Sequence, residues 1–235
     1  MKAVILLAGH GTRMQPLTNY LNKGMIPVAG KPIVEHIVVK LKKQGFESFI
    51  ITATMFPEQL QHYLGDGGRW GVEIEHVTSD EPSQTAGEIA AMAGRLADEE
   101  HFLVHYGDII SNLDAAAMVR RHIKTGATAT LGLVSGVSFH GGVADLDGHG
   151  MVVDFAEKPQ TSFATHAAID VFSARALRYC AGGMDFGHDV IPQMLAGGES
   201  VAGFLDPDAY WFDVGRISDI DTVNDFFSQK SIEEE

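Results

Sequence analysis

Short apolar runs alternate with amphipathic stretches through the first half of the chain. Lys2 to Leu7 is, after its lysine, a continuous Ala/Val/Ile/Leu run, the pattern of a parallel strand buried on both faces. From Lys31 to Gln44, Ile33, Ile37 and Leu41 recur at helical spacing with Val34 and Val38 beside them, so one stripe of a helix is apolar and Gly45 stops it. Ser48 to Ala53 predicts a second strand. Pro57 to Leu64 predicts a short helix with proline at a tolerated early position. Val72 to Val77 alternates apolar with Glu and His, Thr85 to Leu96 is alanine-rich and helical, and His101 to Tyr106 is another strand. Asn112 is expected to cap a helix ending near Lys124 and Gly126. Such alternation is the signature of a doubly wound parallel sheet.

The second half is less regular. Ala127 to Val134, Met151 to Phe155 and Ala167 to Phe172 predict strands, with a glycine-rich stretch from His140 to Gly150 between the first two. Short helices are expected at Ala174 to Cys180 and His188 to Leu195, strands at Ser200 to Phe204 and Tyr210 to Phe212, and a last helix capped by Ser218 that runs to about Phe227. The remainder, Ser228 to Glu235, ends in glutamates and predicts a frayed end. No linker-like composition separates the halves. The expectation is one domain over 1–228, with a subregion at about 135–205 and an acidic tail at 229–235.

Composition narrows the function classes. With 235 residues, 45% of them hydrophobic and 20% charged, the chain can bury a sizeable core and lies outside the disordered class. Acids outnumber bases, 31 to 17, and the resulting net charge of -14 argues against nucleic acid or a membrane surface as partner. The single cysteine, Cys180, permits no internal disulfide, which fits a reducing, cytoplasmic compartment.

Glycine is the informative excess, 26 residues, and the first strand runs straight into two of them. In the segment Leu7-Ala8-Gly9-His10-Gly11-Thr12-Arg13-Met14, Gly9 and Gly11 begin a dinucleotide fingerprint, but its third glycine falls at Met14. A P-loop is excluded too, because Gly30-Lys31-Pro32 lacks the hydroxyl and the upstream glycine. A glycine pair followed by an arginine still suits an anion, and an ordinary turn with a surface arginine remains the alternative on this segment alone.

The longer string Ala8-Gly9-His10-Gly11-Thr12-Arg13-Met14-Gln15-Pro16-Leu17-Thr18, with Lys23, Met25, Pro27 and Gly30-Lys31-Pro32 after it, resembles the N-terminal signature of the sugar-phosphate nucleotidylyltransferases. Thr85-Ala86-Gly87, Gly107-Asp108, Phe155-Ala156-Glu157-Lys158-Pro159, Asp189-Val190-Ile191-Pro192 and Tyr210-Trp211-Phe212-Asp213-Val214-Gly215 match later segments of that family in order. The resemblance implies a three-layer α/β/α, Rossmann-like fold with a mostly parallel mixed central sheet. It also implies transfer of a nucleotide from a nucleoside triphosphate to a sugar 1-phosphate, with Mg²⁺ as cofactor and possible homo-oligomers.

By the same resemblance, Leu7, Ala8, Gly9, Gly11 and Thr12 hold the nucleotide, Arg13 the leaving pyrophosphate, and Lys23 the reacting phosphates. The family usually places proline on both sides of this lysine; here Asn22 and Gly24 flank it, which predicts a looser loop. Asp108 and Asp213 are the implied metal ligands, Asp108 acting in catalysis as well, and Gln84, Thr85 and Gly87 pass the base. Gly142, Glu157, Lys158 and His166 are the implied sugar-phosphate residues. His166-Ala167-Ala168 stands where the family commonly has Asn-Ala-Gly, which suggests an unusual sugar or acceptor. The partial Thr-Ala-Gly match leans to GTP with a mannose-like or heptose-like sugar. The alternatives are dTTP or UTP with glucose 1-phosphate, or a catalytically silent homologue that binds a nucleotide sugar.

Overall fold

A computed structural model describes residues 1–137, 141–157, 159–160 and 163–233. Its first half follows the predicted alternation: β1 (Ala3–Leu7), a small hairpin of β2 (Pro27–Val28) and β3 (Lys31–Pro32), α1 (Ile33–Lys43), β4 (Ser48–Ala53), α2 (Pro57–Leu64), β5 (Glu73–Thr78), α3 (Gln84–Ala91), α4 (Ala93–Leu96) and β6 (His101–Tyr106). Then come β7 (Ile109–Ser111), α5 (Ala115–Thr125), β8 (Ala129–Val134), a ribbon of β9 (Gly142–Leu146) and β10 (Val152–Glu157), β11 (Thr165–Ser173), α6 (Ile191–Ala196), β12 (Val201–Leu205), β13 (Trp211–Asp213) and α7 (Ile217–Glu233).

The main sheet has seven strands in the order β12-β8-β11-β6-β1-β4-β5. Only β11 runs against its neighbours, so the sheet is mixed and mostly parallel as expected. Alternate residues of β1 feed two cores. Ala3, Ile5 and Leu7 join Ile33, Val34, Ile37 and Leu41 of α1 and Leu60 of α2 on one face. Val4 and Leu6 join Ala86 and Ile89 of α3 and Phe186, Val190 and Met194 on the other. These are the three layers that the apolar stripes required.

Several local expectations need correction. Asp114, not Asn112, caps α5, accepting the Ala117 N–H at 2.8 Å; Asn112 instead accepts the Tyr210 N–H at 2.7 Å. Ser218 lies inside α7, whose start is held by Asp219 accepting the Gly215 and Arg216 N–H groups at 3.1 and 2.7 Å. The final helix continues to Glu233, so the segment from Ser228 to there has helical backbone rather than a frayed end. The glycine-rich stretch contains a strand, β9, paired with β10 over Gly142 to Leu146.

The order of strands locates a crevice. The chain leaves β1 for β4 and β5 on one side and returns to β6 on the other, so the carboxyl ends of β1 and β6 flank a topological switch point, where ligands bind in open α/β sheets. His105, near the end of β6, is 4% exposed, and burial holds its imidazole down at about 4, with Nδ1 2.7 Å from the Tyr106 carbonyl. The unfolded chain binds that proton more readily, so stability falls as pH drops from the usual imidazole value toward the folded one. Between neutral pH and pH 5 the loss is about 2 kcal/mol. Denaturant melts at the two pH values should show it, and His105→Leu should remove that part of the pH dependence.

Candidate functional site

The loop that leaves β1 is shaped to leave amides open. Gly11 has φ of +61°, and a Cβ there would lie 2.8 Å from Thr18 Cγ2, while the Thr18 hydroxyl donates to the Gly11 carbonyl at 2.8 Å. Within the described residues, the N–H groups of Gly9, His10 and Gly11 donate no hydrogen bond, which leaves three successive backbone donors open to an anion. Lys23 approaches this loop from a 3₁₀ turn, Lys23–Met25, its Nζ close enough that a Cβ on Gly9 would touch it at 3.7 Å.

The loop around Lys23 is pinned, contrary to the looseness expected of Asn22 and Gly24. Asn22 is 1% exposed; its N–H donates to Gln59 at 2.8 Å, its amide nitrogen donates to the Met55 carbonyl at 2.7 Å, and its oxygen accepts the Gly24 N–H at 2.9 Å. Gly24 is there because a side chain would collide with Leu7, whose Cδ1 would be 2.7 Å from the new Cβ. Hydrogen bonds and close packing replace what flanking prolines achieve by ring restraint.

Asp108 follows Gly107 at the end of β6, and its Oδ2 lies 3.1 Å from Lys23 Nζ. Burial alone pushes this carboxyl up, but the Lys23 ammonium, and more distantly Arg13, hold it below the usual carboxylate range. The short antiparallel pair β7–β13 sets Asp213 opposite Ile109, and the Val214 N–H donates to the Asp108 carbonyl at 2.8 Å. Asp213 therefore sits beside Asp108. Its carboxyl is pushed up, first by burial and then by the charge of Asp108.

Arg13 completes the group, since a Cβ on Gly215 would lie 3.0 Å from both Arg13 Nη2 and Asp213 Oδ1. Arg13 and Asp213 line a cavity of about 600 Å³ whose other walls include Gly136, Tyr210, Phe212 and Arg216. Arg216 was not singled out in the sequence, although it directly follows Asp213-Val214-Gly215. Two neighbouring acids, the charge of Asp108 raising the proton affinity of Asp213, fit a divalent cation, which needs oxygen ligands and relieves their repulsion. No group of three or more His, Cys, Asp or Glu side chains converges among the described residues, so such a cation would take its remaining ligands from phosphate and water.

His166 reaches the same rim, because β11 runs antiparallel to β6 with Ile169 opposite His105. Its Nε2 lies 2.9 Å from both oxygens of Asp170, a fully buried carboxylate that also accepts the Gly132 N–H at 3.3 Å. Burial opposes the imidazolium, yet Asp170 and then Asp185 hold its pKa above the ordinary value. A bulge between His166 and Asp170, with Ala168 at φ of +56°, lets the two side chains meet. Gly142 and Glu157 face each other across the β9–β10 ribbon, with Glu157 Oε2 3.1 Å from where a Gly142 Cβ would be. Lys158 lies outside the described residues.

The segment expected beside the base is partly committed elsewhere. Thr85 Oγ1 donates to Asp185 at 2.7 Å and accepts the Phe186 N–H at 2.9 Å, while the Ala86 and Gly87 N–H groups donate to the Met184 carbonyl at 2.9 and 3.1 Å. Gln84 stays exposed, with φ of +60°. Glu88, which follows Gly87 and is 8% exposed, carries no signal in the sequence, because an acid inside an alanine-rich helix reads as a solvated one.

The family model for nucleotidyl transferase matches residues 2–230. The chain is 30% identical over 242 residues to the UTP–glucose-1-phosphate uridylyltransferase of Synechocystis sp., covering 93% of this chain and 61% of that protein. It is 34% identical over 224 residues to the mannose-1-phosphate guanylyltransferase of Mycobacterium tuberculosis, covering 92% of this chain and 62% of that protein. The chain thus spans about three fifths of the length of these relatives. A solved structure of HddC from Yersinia pseudotuberculosis, complexed with GMP-PN, shares the fold with a TM-score of 0.77 at 20% identity, covering 96% of this chain and 99% of that one. No helix of the described residues is long and apolar enough to cross a membrane.

Proposed function

Because the chain belongs to the nucleotidyl transferase family, we propose that it joins a nucleoside triphosphate to a sugar 1-phosphate, giving a nucleotide sugar and pyrophosphate. The observation that carries this reading is the meeting of Arg13, Lys23, Asp108 and Asp213 at the switch point of the sheet. A sugar-phosphate oxygen attacks the α-phosphorus in line and the bond to pyrophosphate breaks, so no protein nucleophile is required. The open amides of Gly9 and Gly11, with Leu7, Ala8 and Thr12 around them, cradle the triphosphate, and Arg13 faces the pyrophosphate as it leaves. Lys23 moves from Asp108 to the reacting phosphates. Gln84, Thr85 and Gly87 border the base end.

Asp108 and Asp213 would hold Mg²⁺, which supplies neutralisation of the charge that develops on the phosphates. Gly142, Glu157, Lys158 and His166 take the sugar phosphate: Glu157 accepts sugar hydroxyls, Lys158 pairs with the phosphate, and the His166 imidazolium adds a donor. These residues form a subregion of a single unit over 1–228. The lone Cys180, its thiol pushed up to about 12 by burial, has no chemical role and suits a reducing cytoplasm.

The test is pyrophosphate release measured over a matrix of nucleoside triphosphates and sugar 1-phosphates, with Mg²⁺ and with EDTA. At least one pair is expected to turn over, and only with metal. Silence in every cell, alongside measurable binding of a nucleotide sugar, would instead identify a binding protein.

A further inference from the structure

We propose that Glu88 determines which nucleobase the site accepts, and that the base is guanine; this deepens the reading of the crevice as a nucleotide site and rests on it. Helix α3 packs Ala86 and Ile89 against Val4, Leu6 and Ile50, which brings Glu88 under the carboxyl ends of β1 and β4. There its Oε2 accepts the Thr52 hydroxyl at 2.6 Å, and the Thr52 oxygen accepts the Leu7 N–H at 3.0 Å. Leu7 is the last residue of β1, so the carboxyl stands one hydroxyl away from the backbone that opens into the Gly9–Arg13 loop.

The fold does not require an acid at this position. Thr52 has a second acceptor in the Ile5 carbonyl at 3.4 Å, and the neighbouring residues of α3 are small or apolar. No cation pairs with Glu88 among the described residues; the one whose charge reaches it, Lys23, is bonded to Asp108. Burial pushes its carboxyl up in the free protein, the mark of a group placed against its own solvation. Oε1 takes no hydrogen bond from any described residue.

In the reading proposed above, Gln84, Thr85 and Gly87 border the base end, so a nucleotide with its phosphates on the Gly9–Arg13 amides and Lys23 would put its base at the α3 end of the crevice. Of the segment from Gln84 to Glu88, the Thr85 hydroxyl and the Ala86 and Gly87 amides already have partners, which leaves the side chains at its two ends. Two donors facing the carboxyl favour its ionised form against the effect of burial, and an ionised carboxylate can only accept hydrogen bonds. Guanine offers two adjacent donors, N1–H and the N2 amino group. Uracil and thymine set one donor between two carbonyls, which a carboxylate repels, and adenine and cytosine set one amino donor beside a lone pair. The same group therefore attracts one base and rejects the others.

The experiment is calorimetric titration of the whole chain with GTP and with UTP in Mg²⁺, for the wild type, Glu88→Gln and Glu88→Ala, beside thermal melts and pyrophosphate release. The wild type is expected to bind GTP at least about tenfold more tightly than UTP. Glu88→Gln keeps an acceptor for Thr52 and should melt like the wild type, yet lose about tenfold in GTP affinity while UTP affinity holds or rises. A purely structural Glu88 would instead lower both affinities together with the melting point. Wild-type preference for UTP, an unchanged GTP-to-UTP ratio in both variants, or no nucleotide binding at all would overturn the assignment. Binding needs no turnover, so a GTP preference in a protein silent in pyrophosphate release would sink the proposed reaction alone, whereas turnover that favours UTP would sink this assignment alone.

Discussion

Asp108→Asn is expected to lower kcat about a thousand-fold, with the fold retained. The carboxylate has two jobs at one point in the crevice. It pairs with Lys23 at 3.1 Å in the free protein, and in the proposed reading it would share a cation with Asp213 beside it. Asparagine keeps the size and one acceptor oxygen but removes the charge, so cation binding weakens and Lys23 loses the partner that holds it over Gly9. Loss of the negative charge should also let Asp213 ionise more readily, since Asp108 is one cause of its raised pKa. Lys23→Ala should reduce kcat comparably, because the ammonium is the cation nearest the reacting phosphates in this scheme. If the two act as one unit, the double variant should be little worse than either single one. Steady-state pyrophosphate release from all three variants checks this, with circular dichroism to confirm folding. Wild-type rates in Asp108→Asn would remove Asp108 from the cation site.

Periodicity disclosed the scaffold because the strands that carry it are long and apolar. Ser48–Ala53 and His101–Tyr106 have the predicted bounds, as does the helix Pro57–Leu64, and β1 is shorter than expected by its first residue alone. Both faces of β1, β4 and β6 are buried, so the solvent contrast that defines an element in sequence coincides with the ends of these strands. What was not legible depends on partners far away in the chain. β7 spans three residues and has no period to read; it exists because Trp211 to Asp213 pairs with it. β9 is exposed along its whole length and composed partly of glycine and aspartate, so nothing in its pattern marks a strand.

The site divides along the same line. Arg13, Lys23, Asp108 and Asp213 were selected by motif, and the fold brings them together. Asn22 and Gly24 read in sequence as a looser substitute for proline, because the packing against Leu7 that fixes them joins segments that only tertiary structure makes neighbours. His166 was identified as a departure from the family pattern. Its partner Asp170 was not, since two side chains four residues apart on a strand meet only across a bulge.

Gly107→Ala is expected to be among the most damaging single-methyl additions in the molecule, destabilising it by about 3 kcal/mol. The new Cβ would lie 2.2 Å from Leu7 Cδ2, 2.4 Å from Leu7 Cγ and 2.7 Å from the Leu6 carbonyl oxygen. The Gly107 N–H donates to that same carbonyl at 2.9 Å, so the backbones of β1 and β6 are already in hydrogen-bonded contact and cannot part without losing it. Leu7 can turn, but it is fully buried and packs against Gly24, so any movement is passed on to the turn that carries Lys23. For a chain of this size the expected drop in Tm is about 10 °C. Activity should fall further than stability explains, because Asp108 follows Gly107 directly and a shift of about 1 Å at this point costs on the order of a hundred-fold in rate. Assays at a temperature where the variant is fully folded separate the two effects. In a Leu7→Ala background the side-chain collision is gone but the Leu6 carbonyl stays in place, so Gly107→Ala should cost less stability there than in the wild type and nearly as much rate; no cost to either in that background would show that the backbone contact between the strand ends does not set the position of Asp108.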